Sequence, residues 1–223
     1  MGSLVIAVLP LALGAAISPT LLALQLLVLS GGGNELARAW ALAAGAALVL
    51  AAFSLVCATA LSRLRPHHGH RSVTDATVLI ASGVLLGALA VRSRMRKPTV
   101  GENHTSETGG RLASASSLWF LGVGAVGMVV NFSTLLLVLA AVHEITRSSA
   151  GSTDKVVAFV LLYLIVLLPV LVPVVLAQLL GGRADHALDV THRWVVQNSR
   201  TIGTVIEAVF AVYLIVKGVR AIP

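Results

Sequence analysis

The sequence predicts an all-α polytopic membrane protein with six transmembrane helices arranged as two inverted three-helix repeats. Three observations lead to this prediction: the composition, a series of long apolar runs, and a similarity between the two halves of the chain. Of the 223 residues, 57% are apolar and 11% are charged, whereas an average soluble domain is about 45–50% apolar and about 25% charged. So few charges could not coat a soluble globule of this size. We therefore do not expect a soluble enzyme, a disordered chain or a nucleic-acid-binding domain, even at a net charge of +7.

Each of the apolar runs is long enough to cross a membrane, because a spanning helix needs about 20 predominantly apolar residues. Within lipid, backbone polar groups have no water to bind, and a helix satisfies them inside one segment. We therefore predict spanning helices at 3–29, 38–62, 73–92, 115–143, 156–180 and 201–220.

One long polar segment, 93–114, separates the first three runs from the last three. It begins with a basic cluster and is rich in Ser, Thr and Gly, which is typical of a solvated linker. We therefore predict a first three-helix repeat at 1–92 and a second at 115–223. Within the second repeat, residues 183–199 alternate polar and apolar positions, which predicts an amphipathic helix at the membrane interface.

The two halves resemble each other within their first runs. Ser18-Pro19-Thr20 in the first half and Asn131-Phe132-Ser133-Thr134 in the second both follow a stretch rich in Gly and Ala and precede a leucine-rich stretch. Because each half has an odd number of runs, the two copies would lie upside down relative to each other. Many secondary transporters have this plan and bind their substrate between the repeats, near the middle of the membrane. Chance similarity in an Ala- and Leu-rich chain is the alternative.

The polar residues and the proline at these two places are candidates for substrate binding: Ser18, Pro19, Thr20, Asn131, Ser133 and Thr134. Pro19 removes the amide that would bind the carbonyl of Ala15, and hydroxyl groups satisfy such freed groups in broken membrane helices. The carboxamide of Asn131 is costly in an apolar run without a partner, and Ser18 in the other half is the natural partner. The alternatives are an ordinary proline kink and a structural interhelical hydrogen bond worth about 1 kcal/mol or less.

Four further residues interrupt apolar runs. Glu207 lies inside the sixth run and Asp75 near the start of the third. An ionisable group within a membrane is a candidate for proton coupling, although Asp75 could equally face the membrane surface. Pro169 and Pro173 lie one turn apart in the fifth run, where they would loosen the helix and form either a hinge or a simple bend.

Neither a metal site nor a cofactor site is predicted, and we do not expect an enzyme. Cys57 is the only cysteine, which excludes an intramolecular disulfide and any paired-cysteine motif. Three histidines form a cluster, but their loop has no cysteine or carboxylate, and we interpret it as a solvated turn; they are His67, His68 and His70.

The glycines at 31–33 lack the Lys-Ser/Thr ending of a phosphate-binding loop, so an energy source would be an ion gradient, a partner or the lipid gradient.

Two short motifs, together with the length, the number of runs and the central loop, resemble a known family. The motifs are Gly14-Ala15-Ala16-Ile17-Ser18-Pro19 and Asn131-Phe132-Ser133-Thr134-Leu135-Leu136. They resemble the lysine-exporter superfamily of six-span bacterial transporters and, more narrowly, the glycopeptidolipid-addressing and sulfolipid-1-addressing proteins of actinobacteria. Members of that superfamily tend to have Asn-Pro-Lys at the second place. This chain has Phe132 and Ser133 after the Asn, so the resemblance does not predict a second proline break.

The resemblance implies an inverted repeat of three helices, a bacterial plasma-membrane location, and movement of a cell-envelope glycolipid or lipopeptide. The leading hypothesis is therefore a transporter or transport accessory for such a lipid. Its partners would be membrane lipids, the lipid substrate and a larger lipid exporter or lipid-synthesis enzyme, and an oligomer is compatible with this role. The polar candidates would bind the head group, and basic residues of the linker would hold anionic groups electrostatically; these are Arg94, Arg96 and Lys97.

Two other functions stay open. The first is a small-solute exporter of amino acids or cations, proton-coupled through Glu207. The second is a non-transporting scaffold that anchors a lipid synthase or exporter through the segments 93–114 and 183–199.

Overall fold

The computed structural model of the protein describes residues 2–31, 34–63, 73–95, 116–181 and 185–220. Every regular element in these stretches is an α-helix, which confirms the all-α prediction. In chain order the helices are α1 (Gly2–Ala16), α2 (Pro19–Leu29), α3 (Glu35–Arg63), α4 (Val73–Met95), α5 (Ser117–Val130), α6 (Phe132–Arg147), α7 (Ser152–Leu180) and α8 (Asp185–Arg220). Most of the predicted linker lies outside the described residues, and so do His67, His68, His70, Arg96 and Lys97.

The protein is an integral membrane protein. Three segments are long and apolar enough to cross a membrane: α3, α7 and the Thr201–Arg220 part of α8. Two further candidates are bent pairs, with α1 and α2 meeting at 53° and α5 and α6 at 71°, so up to five spans result if each pair crosses once. The third predicted run forms α4, whose described apolar stretch, Ala76–Arg92, is shorter than the others.

The first bend lies between α1 and α2, at Ser18 and Pro19. Pro19 takes the first position of α2, where a missing amide costs nothing because the first amides of a helix have no partner inside the helix. Ser18 has an extended backbone (φ −116°, ψ 94°), and its Oγ accepts a hydrogen bond from the amide of Leu21 at 3.4 Å. The serine therefore caps α2 while the proline ends α1.

The second bend lies at Asn131 and contains no proline. Asn131 has φ −84° and ψ 66°, which is not helical, and its amide donates to the carbonyl of Met128. Its own carbonyl accepts from the amide of Leu135 and so begins α6. The chain therefore breaks at Asn131 without a proline, since Phe132 follows it.

The end of the chain is one continuous helix. Residues 183–199 were predicted to form an interfacial helix distinct from the sixth run, and the structure joins residues 185–220 into the 36-residue helix α8. At 1.5 Å per residue α8 is about 54 Å long, far more than the roughly 30 Å of a hydrocarbon core. Helix α7 also stays a single helix through Pro169 and Pro173.

The two halves of the chain interleave. The most extensive helix contacts are those of α4 with α8 and of α3 with α5, and each pair takes one helix from each half. At the crossing of α3 and α5, a Cβ on Gly45 would overlap the backbone of Leu121, and a Cβ on Gly124 would overlap the carbonyl of Leu42. Small residues let membrane helices approach this closely, so glycine determines the α3–α5 distance.

Candidate functional site

The two bends meet, and direct hydrogen bonds connect them. The side-chain amide of Asn131 donates to the Oγ of Ser18 at 2.6 Å, which joins residues 113 positions apart. The hydroxyl of Thr134 donates to the carbonyl of Ala15 at 3.1 Å. Ala15 is four residues before Pro19, so this is the carbonyl that the proline leaves without its helical partner. The second half of the chain therefore satisfies the backbone group that the first break exposes.

Asn131 is bonded on both ends of its carboxamide. Besides donating to Ser18, it accepts at Oδ1 from the hydroxyl of Ser133 at 3.2 Å. Ser18 and Thr134 are 5% and 3% exposed, and an unpaired polar group buried in this way would be costly, whereas Asn131 and Ser133 are half-buried. The partnership of Ser18 with Asn131 that the sequence suggested is present in the structure.

A cavity of about 230 Å³ lies at the meeting point of the bends. We call it the polar cavity. All six predicted substrate-binding residues line it, and α8 completes its wall. Its lining consists of Gly14, Ile17, Ser18, Pro19, Thr20, Asn131, Ser133, Thr134, Leu137, Ser199, Gly203, Ile206 and Glu207.

Glu207, predicted to be ionisable inside an apolar run, faces this cavity. One of its carboxyl oxygens, Oε2, is buried and has no hydrogen-bond partner within the described part of the chain. The hydroxyl of Ser133 lies within hydrogen-bonding reach of the carboxyl. The structure therefore places the acid beside the polar residues of the second bend.

A second cavity, of about 520 Å³, shares Thr20, Asn131, Ser133 and Glu207 with the polar cavity. It is further lined by Leu89, Val130, Phe132 and a cationic side chain, Arg92 of α4. We call it the Arg92 cavity. The two cavities together form a polar region bounded by α2, α4, α6 and α8.

An apolar groove of about 710 Å³ lies on the other side of the first bend. Its walls are formed by parts of α1 and α2, the proline-containing part of α7 and the middle of α8. Pro169 and Pro173 line it. The groove shares Ile17, Ser18 and Pro19 of the first bend, and Ile206 of α8, with the polar cavity. The first bend is therefore a common wall between a polar and an apolar space.

Two residues of this site, Ser199 and Gly203, were not predicted from the sequence. They precede the predicted Glu207 by eight and four residues and therefore share one face of α8 with it. That spacing could have been read from the sequence. Arg92 was not predicted as a site residue, although it is the charged residue at the end of the third apolar run.

Two other predicted residues, Asp75 and Arg94, belong to α4. Asp75 lies in the first turn of α4, and Arg92 lies 17 residues later, which is about 25 Å along the helix axis. Arg94 belongs to α4, but its side chain is not among those described. In the described stretches there is also no group of three or more His, Cys, Asp or Glu side chains that could hold a metal ion.

The family of the chain follows from a match over nearly its whole length. The model of the family "Sap, sulfolipid-1-addressing protein" matches residues 8–220. The chain belongs to this family. No curated protein and no solved structure matches it significantly. The matched range includes both bends, the three cavities described above and part of every helix. The similarity to the family therefore includes the site as well as the apolar helices. The name of the sulfolipid-1-addressing family associates the protein with a lipid.

Proposed function

We propose that the protein is a transporter or transport accessory that moves a cell-envelope glycolipid or lipopeptide across or out of the bacterial plasma membrane. The main support is the shared wall at Ser18 and Pro19 between the polar cavity and the apolar groove. A lipid has a polar and an apolar part and needs both environments side by side. Membership of the sulfolipid-1-addressing family agrees with a lipid substrate.

The architecture that we propose for this function is six spans in two inverted repeats, as in the lysine-exporter superfamily. Each half would begin with a bent pair, α1–α2 or α5–α6, and continue with two further helices. The corresponding positions of the two bends, and their meeting at one cavity, support this arrangement. Transporters with inverted repeats bind substrate at discontinuous helices between the repeats.

The polar part of the substrate would bind at the polar cavity and the Arg92 cavity. About 230 Å³ corresponds to several water molecules at about 30 Å³ each, so the polar cavity has room for part of a sugar but not for a whole glycolipid. Thr20 and Ser133 line both cavities and offer hydroxyl groups, and Arg92 offers a cation for an acidic substituent. Helices α2 and α6 also begin here, and helix N-termini favour negative charge.

The acyl part of the substrate would lie in the apolar groove. Lipid tails are about as apolar as leucine side chains, so moving a chain from bilayer to groove gains little hydrophobic free energy. The groove would therefore hold the chain by packing, while the polar cavity would discriminate between substrates by hydrogen bonds to the head group. Recognition then depends mainly on the residues of the two bends.

A complementation experiment tests the lipid function. In a strain that lacks the gene, the double variant Ser18→Ala with Asn131→Ala should fail to restore the surface lipid, although its protein level matches the wild type. Ser62→Ala is a matched control, since its hydroxyl bonds within α3 and is exposed. A normal envelope lipid profile in the double variant would refute the assignment.

The second candidate function is a small-solute exporter of amino acids or cations. The specific observation in its favour is the carboxyl of Glu207 in a cavity small enough for such a solute. Purified protein in liposomes separates the two functions. Amino-acid efflux that depends on a pH gradient and disappears in Glu207→Gln would favour the small-solute exporter.

A further inference from the structure

The carboxyl of Glu207 and the carboxamide of Asn131 both lie beside one hydroxyl group, that of Ser133. Ser133 has a single hydroxyl proton, and in the structure it donates this proton to Oδ1 of Asn131 at 3.2 Å. The carboxyl of Glu207 also lies within reach of that hydroxyl. A hydroxyl can donate only one hydrogen bond but can accept others, so the protonation state of Glu207 decides what Ser133 does.

The two states differ in how they bond the second bend. A protonated Glu207 can donate a hydrogen bond to Ser133, and Ser133 then keeps its own bond to Asn131. Asn131 in turn donates to Ser18 at 2.6 Å. An ionised Glu207 can only accept and therefore competes with Asn131 for the proton of Ser133. Loss of that bond frees one end of the carboxamide that connects the two bends.

Among the side chains that the structure describes, few charged ones lie near Glu207. Helices α1 and α2, which line the polar cavity, contain no charged or titratable residue. The second bend presents Asn131 to it, and α6 presents Ser133 and Thr134. Helix α4 presents Arg92, which shares the larger cavity with Glu207. On α8 itself, Arg200 lies seven residues before Glu207, and Lys217 lies ten residues after it and pairs with Glu144 at 3.0 Å.

We propose that Glu207 is the proton-binding residue of the transport cycle and couples proton binding to an acidic head group held by Arg92. This proposal rests on the proposed lipid function. The carboxylate takes a proton from hydronium in the cavity and leaves water, and it returns the proton to water when the cavity opens to the other side. Neutral Glu207 leaves the charge of Arg92 uncompensated in the shared cavity, which favours an anionic ligand. Ionised Glu207 repels the same ligand.

Lipid binding to purified protein tests the coupling. The probes are sulfated galactosylceramide and its uncharged parent, which differ only in the sulfate group. Wild-type protein should bind the sulfated lipid more tightly at mildly acidic than at neutral pH, by roughly 5- to 150-fold, the range typical of coupled sites. The uncharged lipid should bind equally at both pH values. Glu207→Gln should bind the sulfated lipid tightly at both, and Arg92→Ala should lose the preference for the sulfate.

The control is Glu144→Gln, which removes a carboxyl of the same type outside the site and should keep the wild-type pH dependence. A wild type without pH dependence, or a Glu207→Gln protein that retains it, would overturn the proposal. Lipid-free protein gives a separate readout, the carboxyl C=O stretch in an infrared pH titration. A titrating band that is present in wild type and in Glu144→Gln but absent in Glu207→Gln supports proton binding at Glu207, and identical titrations in all three proteins would contradict it.

These readouts separate two kinds of failure. If neither lipid binds at any pH, the proposed lipid function fails, while the infrared titration still decides whether Glu207 exchanges a proton. If both lipids bind and pH has no effect, the lipid function stands and the proton coupling is wrong.

Discussion

The hydroxyl of Thr134 donates a hydrogen bond to the carbonyl of Ala15, 119 positions away in the sequence. This is the carbonyl that loses its helical partner because Pro19 has no amide. A side chain of the second half therefore satisfies the carbonyl that the break in the first half leaves without a partner. Any movement that separates the two bends must break this bond and the Asn131–Ser18 bond together, so the two breaks behave as one mechanical unit.

Replacing Thr134 by valine should lower stability with little change in shape, because only the hydroxyl is lost. The carbonyl of Ala15 would then be buried without a partner. Interhelical hydrogen bonds in membranes are worth roughly 0.6 to 1.7 kcal/mol, so we expect about 1 kcal/mol of destabilisation in a reversible unfolding titration in detergent micelles. Thr134→Ser keeps the hydroxyl and should lose less. Equal stabilities for Thr134→Val and wild type would show that the bond contributes nothing.

The glycines at the crossing of α3 and α5 give a second stability test. A Cβ at Gly124 would overlap the carbonyl of Leu42, whereas a Cβ at Gly122, on the same helix, would meet nothing within 4 Å. Overpacking of this kind costs about 1–3 kcal/mol. Gly124→Ala should therefore lower the unfolding midpoint and Gly122→Ala should leave it nearly unchanged. If the two variants unfold alike, the close approach of these helices does not limit stability.

Filling the apolar groove should block lipid movement without disturbing the fold. Val172 and Val175 are both on α7 and are 43% and 40% exposed, but of the two only Val172 lines the groove. We expect Val172→Trp to abolish surface delivery of the lipid in the complementation assay and Val175→Trp to restore it. Protein levels in the membrane fraction provide the check on folding. Normal delivery with Val172→Trp would exclude the groove as the acyl site.

Thr20 offers a test of head-group binding that spares the connection between the bends. Its side chain is exposed and lines both polar cavities. Thr20→Val has nearly the same shape, and loss of one hydrogen bond worth about 1 kcal/mol should weaken glycolipid binding about fivefold. Thr59→Val is the control, since Thr59 is exposed on α3 and bonds to carbonyls of its own helix. Binding that is equal for wild type and Thr20→Val would remove Thr20 from the site.

Much of the fold could be predicted from local properties of the chain. Hydropathy and run length place helices at all six apolar runs, because a segment in lipid must satisfy its own backbone. The break at Pro19 follows from the chemistry of proline, and the cost of an isolated carboxamide correctly suggests that Asn131 needs a partner. These effects act within one helix or on one side chain, so the sequence by itself determined the helices, the first bend and most of the polar residues at the site, whereas the bend at Asn131 came from the structure.

Only the tertiary structure decided how these pieces meet. Thr134 donates to the carbonyl of Ala15, and Arg92 shares a cavity with Glu207. Both relationships depend on the relative positions of helices that are far apart in the sequence. The pairing of α3 with α5 depends on glycines whose spacing in the sequence does not identify the helix they contact. Side-chain hydropathy does not encode crossing angles or partners, since lipid and neighbouring helices are equally apolar. The polar cavity and its apolar neighbour are therefore products of helix packing, whereas most of the polar residues that line the polar cavity were already identified in the sequence.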